Sequence, residues 1–314
     1  MKVGRIDIEP VLDGSILSRL PATKPLPHPG SSQWADQHGM FRTDGLIEST
    51  LGGFLIRAGE RVALVDAGGG QVFADGSFSP VIDADDPDDA IAAIFRGRGM
   101  TDDMIRLAAA EFSRVHIAQG ALPASLAALG VRAEEVTDLI FTHLHFDHIG
   151  WASAEGSAFF PNATVRCAAA DLDYFLAGPD EEEFTSLLFR ALRATERLAP
   201  VLDRIETWES DGTLFPGVDV RLAPGHTPGS SVIVVSDGAE RAMLLGDMIH
   251  CPLELMDDDF DLLVDHDQEL ASRVRRAYAR ELEGSDVLVS AAHFPGLRFG
   301  RLLAGDVTRR WTFS

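Results

Sequence analysis

Residues 142–150 read Thr-His-Leu-His-Phe-Asp-His-Ile-Gly and place His143, His145, Asp147 and His148 within six consecutive positions. Three imidazoles and a carboxylate so close together are costly unless something binds them. In an extended segment alternate side chains share a side, so His143, His145 and Asp147 can converge while a turn brings His148 round from the other side. That spacing suits two adjacent metal ions. Neutral imidazole nitrogen and carboxylate oxygen are usual ligands of zinc, which tolerates four or five of them and performs no redox chemistry. A lone His-x-His reads better as a polar loop; the whole string does not.

Three later segments each place one potential ligand after an apolar run or beside a turn glycine. They are Pro224-Gly225-His226-Thr227-Pro228-Gly229, Leu244-Leu245-Gly246-Asp247 and Ser290-Ala291-Ala292-His293. Individually each is weak, because a lone His or Asp at a strand end is commonly a hydrogen-bonded turn residue. In this order, after that string, they are strong together. The chain has no Gly-rich phosphate loop, no G-x-S-x-G elbow and no cysteine in a catalytic signature, so competing schemes lack residues.

The elements that must hold these groups alternate between β-rich and helical runs. Residues 49–56 and 61–66 read as strands joined around Ala58-Gly59-Glu60, and 136–142 as a mostly buried strand that feeds the histidine string. Further strands are expected at 219–222, 231–235, 241–245 and 286–289, with helices at 180–198 and 268–283. Residues 21–40, rich in Pro, Gly and Ser, read as an ordered loop within an N-terminal arm spanning 1–47. The stretch 68–130 reads as a helical insertion with helices at 88–95, 101–112 and 121–129. Phe73, Phe78, Phe95, Met100, Met104, Ile105 and Phe112 would make it an apolar lid if it folds over the metals, and helix packing explains them equally well. Without a low-complexity linker, the expectation is one mixed α/β domain over 1–314.

Acidic residues outnumber basic ones 49 to 27, a formal charge of −22. That field repels polyanions, and no Lys/Arg cluster offers a phosphate-tracking surface, so no nucleic-acid partner is expected. Arg273, Arg275, Arg276 and Arg280 read as a solvated helix face. Cys167 and Cys251 read as two core thiols. The start lacks an export signal, and no apolar run is long enough to span a bilayer, so a cytoplasmic protein without a membrane partner is expected. The oligomeric state stays open, a homodimer included.

From Ser49 to Phe294 this pattern resembles the metallo-β-lactamase superfamily. The resemblance implies an αββα sandwich, two packed mixed β-sheets flanked by helices, with two divalent metal ions, zinc in the first instance, at one sheet edge. It puts His143, His145 and His226 on one metal, Asp147, His148 and His293 on the other, and Asp247 between them. Asp66, in Leu64-Val65-Asp66-Ala67-Gly68, matches an aspartate that supports the metal loop from outside the ligand set; on its residues alone it is equally an ordinary turn aspartate. A hydroxide shared by the metals would be the nucleophile, with Asp147 able to accept or pass its proton.

Within the superfamily, the arm, the insertion and residues 246–253 look most like the branch of N-acyl-homoserine-lactone lactonases and methyl-parathion-hydrolase-like enzymes, which implies a small lactone or related ester as substrate. β-Lactam, phosphotriester and glyoxalase-II-like thioester hydrolysis are the alternatives, and a single-iron persulfide-dioxygenase-like oxidoreductase is one from another class. An RNase-Z-like nuclease fits the ligands but not the acidity. His250 stands three residues after Asp247, where similar homoserine-lactone lactonases carry a tyrosine that contacts the substrate's carbonyl side. An imidazole can still donate a hydrogen bond to an oxygen that turns negative, so His250 is expected in the pocket as a catalytic group that binds no metal, with a supporting or packed histidine as the alternative.

Overall fold

The computed structural model describes residues 1–20, 22–25, 40–42, 46–71, 82–97, 99–112, 115–177, 192–305 and 308–314. Its chain opens with β1 (Lys2–Val3) and β2 (Ile6–Ser18). This differs from the arm expected over 1–47: β2 pairs antiparallel with β3 (Ile47–Ala58) along nearly its whole length, with an irregularity between Leu12 and Gly14. The reason is period-two burial. Ile6 and Ile8 point into the space between the sheets, while Asp7 and Glu9 on the other parity make the segment look polar in sequence. Pro21 and residues 26–39, including Trp34, lie outside the described residues.

β3 turns at Gly59, φ 61°, into β4 (Arg61–Val65), the hairpin expected from the sequence. The region 68–130 contains α1 (Ala90–Gly97), α2 (Asp102–Phe112), β5 (His116–Ala118) and α3 (Leu122–Ala128), so its three helices fall within two residues of their expected positions. Phe95 and Ile105 are buried against Ile91, Ala92 and Met100 in a small core of their own, whereas Met104 is half exposed. Phe73 and Phe78, and the side chain of Phe112, lie outside the described residues.

Next come β6 (Asp138–Ile140), the short hairpin β7 (Ser153–Ala154) and β8 (Ser157–Ala158), β9 (Thr164–Ala168) and α4 (Ala169–Leu176). Of the helix expected at 180–198, residues 180–191 lie outside the described residues, and α5 (Ala194–Leu198) is its described end. The second half runs β10 (Ile205–Trp208), β11 (Gly212–Phe215), β12 (Val218–Leu222), β13 (Ser231–Asp237), β14 (Glu240–Leu244), α6 (Leu253–Met256), α7 (Gln268–Leu282), β15 (Leu288–Ser290), β16 (Gly300–Leu303) and β17 (Arg310–Phe313).

Two sheets result. The first runs β1-β2-β3-β4-β6-β9-β10 with β5 beside β2, and the second runs β11 to β17 in sequence order. Alternation then fills three layers of core. Phe54 and Ile56 of the first sheet meet Val218, Val220, Ile233 and Val235 of the second. Leu55 and Leu64 face outward against Leu122 and Leu126 of α3 and Phe175 of α4. Val232 and Val234 face outward against Tyr278, Ala279 and Leu282 of α7. Helix, sheet, sheet and helix therefore stack in four layers, the αββα sandwich. No helix among the described residues is long and apolar enough to cross a membrane.

Strand direction brings the site together. β4, β6 and β9 run parallel, so the segments leaving β4 and β6 emerge at the same edge. In the second sheet β13 is antiparallel to both β12 and β14, and β15 is parallel to β14, so β12, β14 and β15 also share one direction. Asp66, the histidine string, His226, Asp247 and His293 all follow the ends of those five strands.

Candidate metal centre

At that edge seven side chains gather, with the Asp247 carboxylate among them at the centre. Asp247 Oδ2 lies 3.0 Å from His293 Nε2, 3.5 Å from His226 Nε2 and 3.8 Å from His143 Nε2, while Asp247 Oδ1 lies 3.3 Å from His148 Nε2. His145 Nδ1 sits 2.9 Å from both His143 Nε2 and His226 Nε2. Asp147 Oδ2 is 3.6 Å from His293 Nε2. His143, His145 and His226 form one cluster able to hold a cation, and Asp147, His148 and His293 another. Zinc–nitrogen bonds of about 2.0–2.1 Å in a tetrahedral shell separate ligands by about 3.3 Å, within the spread of these distances.

Two observations test the fit of a cation. His148 Nε2 and Asp247 Oδ1 are buried without a hydrogen-bond partner, although burying such atoms unpaired is costly. Three histidines have an acceptor for the Nδ1 they turn away from the centre, whereas His250 Nδ1 is buried without a partner. His148 Nδ1 donates to Asp66 Oδ2, His226 Nδ1 to Asp265 Oδ1 and His293 Nδ1 to the Thr50 carbonyl, each at 3.0–3.1 Å. The Thr142 hydroxyl donates to Asp66 Oδ2 and accepts from His143 Nδ1. These bonds hold a proton on Nδ1, so that each Nε2, once free of any proton of its own, turns a lone pair inward, the arrangement a divalent metal requires.

Burial pushes His143, His145 and His226 below the ordinary imidazole range, which keeps them neutral and ready to ligate. Burial acts the same way on His148, yet the Asp247, Asp66 and Asp147 carboxylates override it and hold this imidazole well above that range. Asp247 is held low, against burial, by His293, His148, His250 and His143. A divalent cation would supply the positive charge that protonated His148 and His250 now lend to Asp247.

Local sequence explains the placement. Asp66 holds a φ of 59°, which an Asp tolerates better than most residues, and its Oδ1 also accepts from Thr142 N at 2.8 Å. Gly150 packs directly on Gly69 and Gly70, where a Cβ would lie 2.0–2.1 Å from their backbone. Gly225, φ 140°, lets the His226 loop lie against the start of α7, since a Cβ there would meet Ala271 at 2.5 Å.

His250 lies in the same cluster. Its Nε2 is 3.4 Å from Asp247 Oδ2, and its ring stacks on His293 at 5.5 Å and meets His226 edge-on at 5.0 Å. His226, Asp247 and His250 also form a triad within ligand reach of one another. Burial lowers the His250 pKa, but Asp247, Glu254 and Asp265 together carry it up to about 9.

Residues that the sequence reading passed over hold the ligand loops. Asp13 accepts from the backbone N–H groups of Gly69, Gly70, Gly120 and Leu122 and from the Trp151 indole. Asp171 accepts from Gly229 N and Thr227 Oγ1, on the turn that carries His226. Arg275, expected on a solvated face, is instead among the largest fully buried side chains. Its position on α7 falls in register with Ala271, Tyr278, Ala279 and Leu282, so helix periodicity turns it inward, whereas Arg273 and Arg280 stay exposed. The available signal was a charge inside an apolar context, as in Val11-Leu12-Asp13 and Ala169-Ala170-Asp171.

Among curated proteins, the chain is similar to an N-acyl homoserine lactonase of Bacillus cereus, 26% identical over 117 residues that cover 37% of this chain and 40% of that one. It is also similar to a probable metallo-hydrolase of Mycobacterium bovis, 25% identical over 189 residues, covering 54% and 58%. The chain thus spans about half the length of the curated relatives it matches. Among solved structures, the dizinc quorum-quenching lactonase AidC aligns over 99% of this chain and 95% of its own, with a TM-score of 0.67 at 21% identity. The hydrolase AbOPH aligns over the same shares with a TM-score of 0.69 at 20% identity. At such identities the likeness shows the fold. Residues 99–293, well over half of the chain, match the metallo-beta-lactamase superfamily and include all seven converging side chains, from the histidine string through His226 and Asp247 to His293. Sandwich, site and matched segment agree, and the chain belongs to the metallo-beta-lactamase superfamily.

Proposed function

We propose that this chain is a dinuclear metal-dependent hydrolase that cleaves a small lactone or related ester. The observation that carries the reading is the convergence of two ligand clusters on Asp247, with His148 Nε2 and Asp247 Oδ1 buried and unpaired between them. The similarity of part of the chain to an N-acyl homoserine lactonase supports the substrate class. In this reading His143, His145 and His226 hold one cation, Asp147, His148 and His293 the other, and Asp247 faces both. Two zinc ions held there would supply an acidified water, with a pKa brought from about 15.7 toward 7, and a Lewis acid for the substrate's carbonyl oxygen.

The chain's own groups then do the rest. Asp147, at the edge of the cluster, would accept the proton released when the substrate is attacked. His250, whose Nε2 lies 3.4 Å from Asp247 Oδ2, would donate to the carbonyl oxygen as it becomes negative, which is where a preorganised donor lowers the barrier most. Metal analysis of the purified protein, paired with a hydrolysis panel of lactones, aryl esters, phosphotriesters, thioesters and β-lactams, tests the reading. About two zinc equivalents, lactone or ester turnover, and its loss on chelation are expected. One iron with oxygen consumption would overturn it, and preference for another panel member would move the substrate. His250→Ala is expected to keep both metals and lower kcat/KM by about tenfold to a thousandfold; loss of metal would make His250 a ligand.

A further inference from the structure

Arg275 is 1% exposed and surrounded by acids. Its Nη2 donates to Asp265 Oδ2 and contacts Asp261 Oδ1, both at 2.8 Å, and its Nε donates to Asp261 Oδ1 at 3.0 Å. Nη1 lies 3.6 Å from Glu254 Oε1 and donates to the Met248 carbonyl at 3.3 Å. Three of these four partners, Asp265, Glu254 and Met248, lead to the metal cluster by one further step. Asp265 Oδ1 accepts from His226 Nδ1. Glu254 Oε2 accepts from the backbone N–H of His250 at 2.7 Å and of Cys251 at 3.2 Å. Met248 follows Asp247 directly.

We propose that Arg275 is a positioning residue which, through Asp265 and Glu254, fixes the orientation of His226 and His250 on either side of Asp247. The inference rests on the metal-centre reading. A buried cation among three carboxylates is weak evidence for stability, because desolvation consumes most of the attraction, so its retention needs another use. Only a planar guanidinium with five donors can meet three carboxylates and a carbonyl at once; the compact ammonium of lysine cannot. With its charge in place Asp265 stays an anion and an acceptor, and His226 keeps its proton on Nδ1 and its lone pair toward the centre.

The test uses 15N-histidine NMR of the metal-free and zinc-loaded protein, beside zinc affinity by chelator competition. Asp265→Asn should remove the hydrogen-bonded Nδ1–H signal of His226 and lower zinc affinity by about 10- to 100-fold. Glu254→Gln should shift the His250 resonances and leave those of His226 in place. Arg275→Lys, which keeps the positive charge, should disturb both sets and weaken zinc as Asp265→Asn does. A folded Arg275→Lys protein with both sets of resonances and the zinc affinity of wild type overturns the proposal. Should that variant fail to fold, unchanged resonances in Asp265→Asn and Glu254→Gln overturn it instead. A wild-type protein that takes up no zinc would refute the metal-centre reading, while the metal-free spectra would still decide the role of Arg275.

Discussion

Asp66 offers the sharpest test of how the ligands are held. Its carboxylate accepts three buried bonds: Thr142 N and Thr142 Oγ1 at 2.8 Å, and His148 Nδ1 at 3.1 Å. Because the Thr142 hydroxyl also accepts from His143 Nδ1, Asp66 sets the proton position on one histidine of each cluster. Asp66→Asn preserves shape, and Asn tolerates the φ of 59°, so the backbone has no reason to move. Either orientation of the amide nevertheless sets an N–H group against a donor. The lost bond to a charged acceptor is worth about 1.5–3 kcal/mol of stability in the metal-free protein. If His148 relieves the clash by moving its proton to Nε2, the lone pair facing Asp247 Oδ1 is gone, and a Thr142 hydroxyl turned toward His143 has the same effect there. Zinc affinity should therefore fall at both sites by about 10- to 100-fold, or about 1.4–2.7 kcal/mol. Asp66→Ala should be less stable than Asp66→Asn by a further 1–2 kcal/mol or so, the cost of a left-handed backbone without a polar side chain. Chelator competition resolves the two binding steps, and urea unfolding of the metal-free protein gives the stability. If only one step weakens, the relay through Thr142 is wrong; if neither does, Asp66 has no part in holding the ligands.

Two other substitutions probe the loops. Burial pushes Asp171 from 3.8 up to about 7, against lowering bonds from Gly229 and Thr227. The native state therefore keeps a proton that the unfolded chain releases, and the stability this group contributes is full below about pH 4 and lost as pH rises through 7. Asp171→Asn cannot ionise, so in the metal-free protein its stability relative to wild type should improve from pH 5 to 8, by on the order of 2–3 kcal/mol; a difference that denaturant titrations find flat with pH would refute this. Gly150→Ala puts a Cβ 2.0 Å from the Gly69 carbonyl carbon and 2.1 Å from Gly70 N. Rigid backbone cannot give way as a side chain can, so a loss of about 3 kcal/mol or more is expected, at the top of the overpacking range, and an unchanged denaturation midpoint would show that the two loops separate easily.

What sequence reveals here follows from how locally each feature is encoded. His143, His145, Asp147 and His148 share one short segment, and His226, Asp247 and His293 each follow a strand whose apolar alternation is plain. Strands β13 and β14 and helices α1, α2, α3 and α7 were likewise legible, because period and turn residues agree within each. β2 was not, because Asp7, Glu9 and Asp13 break its apolar run and its strand partner is distant in sequence, its pairs running from Ser18 with Ile47 to Asp7 with Arg57. β16 and β17 are four residues each, too short for a period to emerge.

The outer partners of the ligands were hidden for a different reason. Nothing near Arg275 in sequence distinguishes it from the exposed Arg273 and Arg280 on the same helix, and its three carboxylates come from α6 and the loop before α7. Asp13 similarly joins the glycines after β4, the start of α3 and the indole of Trp151, which the chain brings together only once both sheets have formed. A ligand is recognised by what it is, a histidine or an aspartate in a tight pattern. A positioning residue is recognised by what it touches, and that is a property of packing. The two kinds of residue therefore fail differently under mutation. Removing a ligand empties a site, whereas removing Asp66, Asp265 or Arg275 should leave the ligands in place and turn their lone pairs away, so that zinc affinity and histidine resonances change before the fold does.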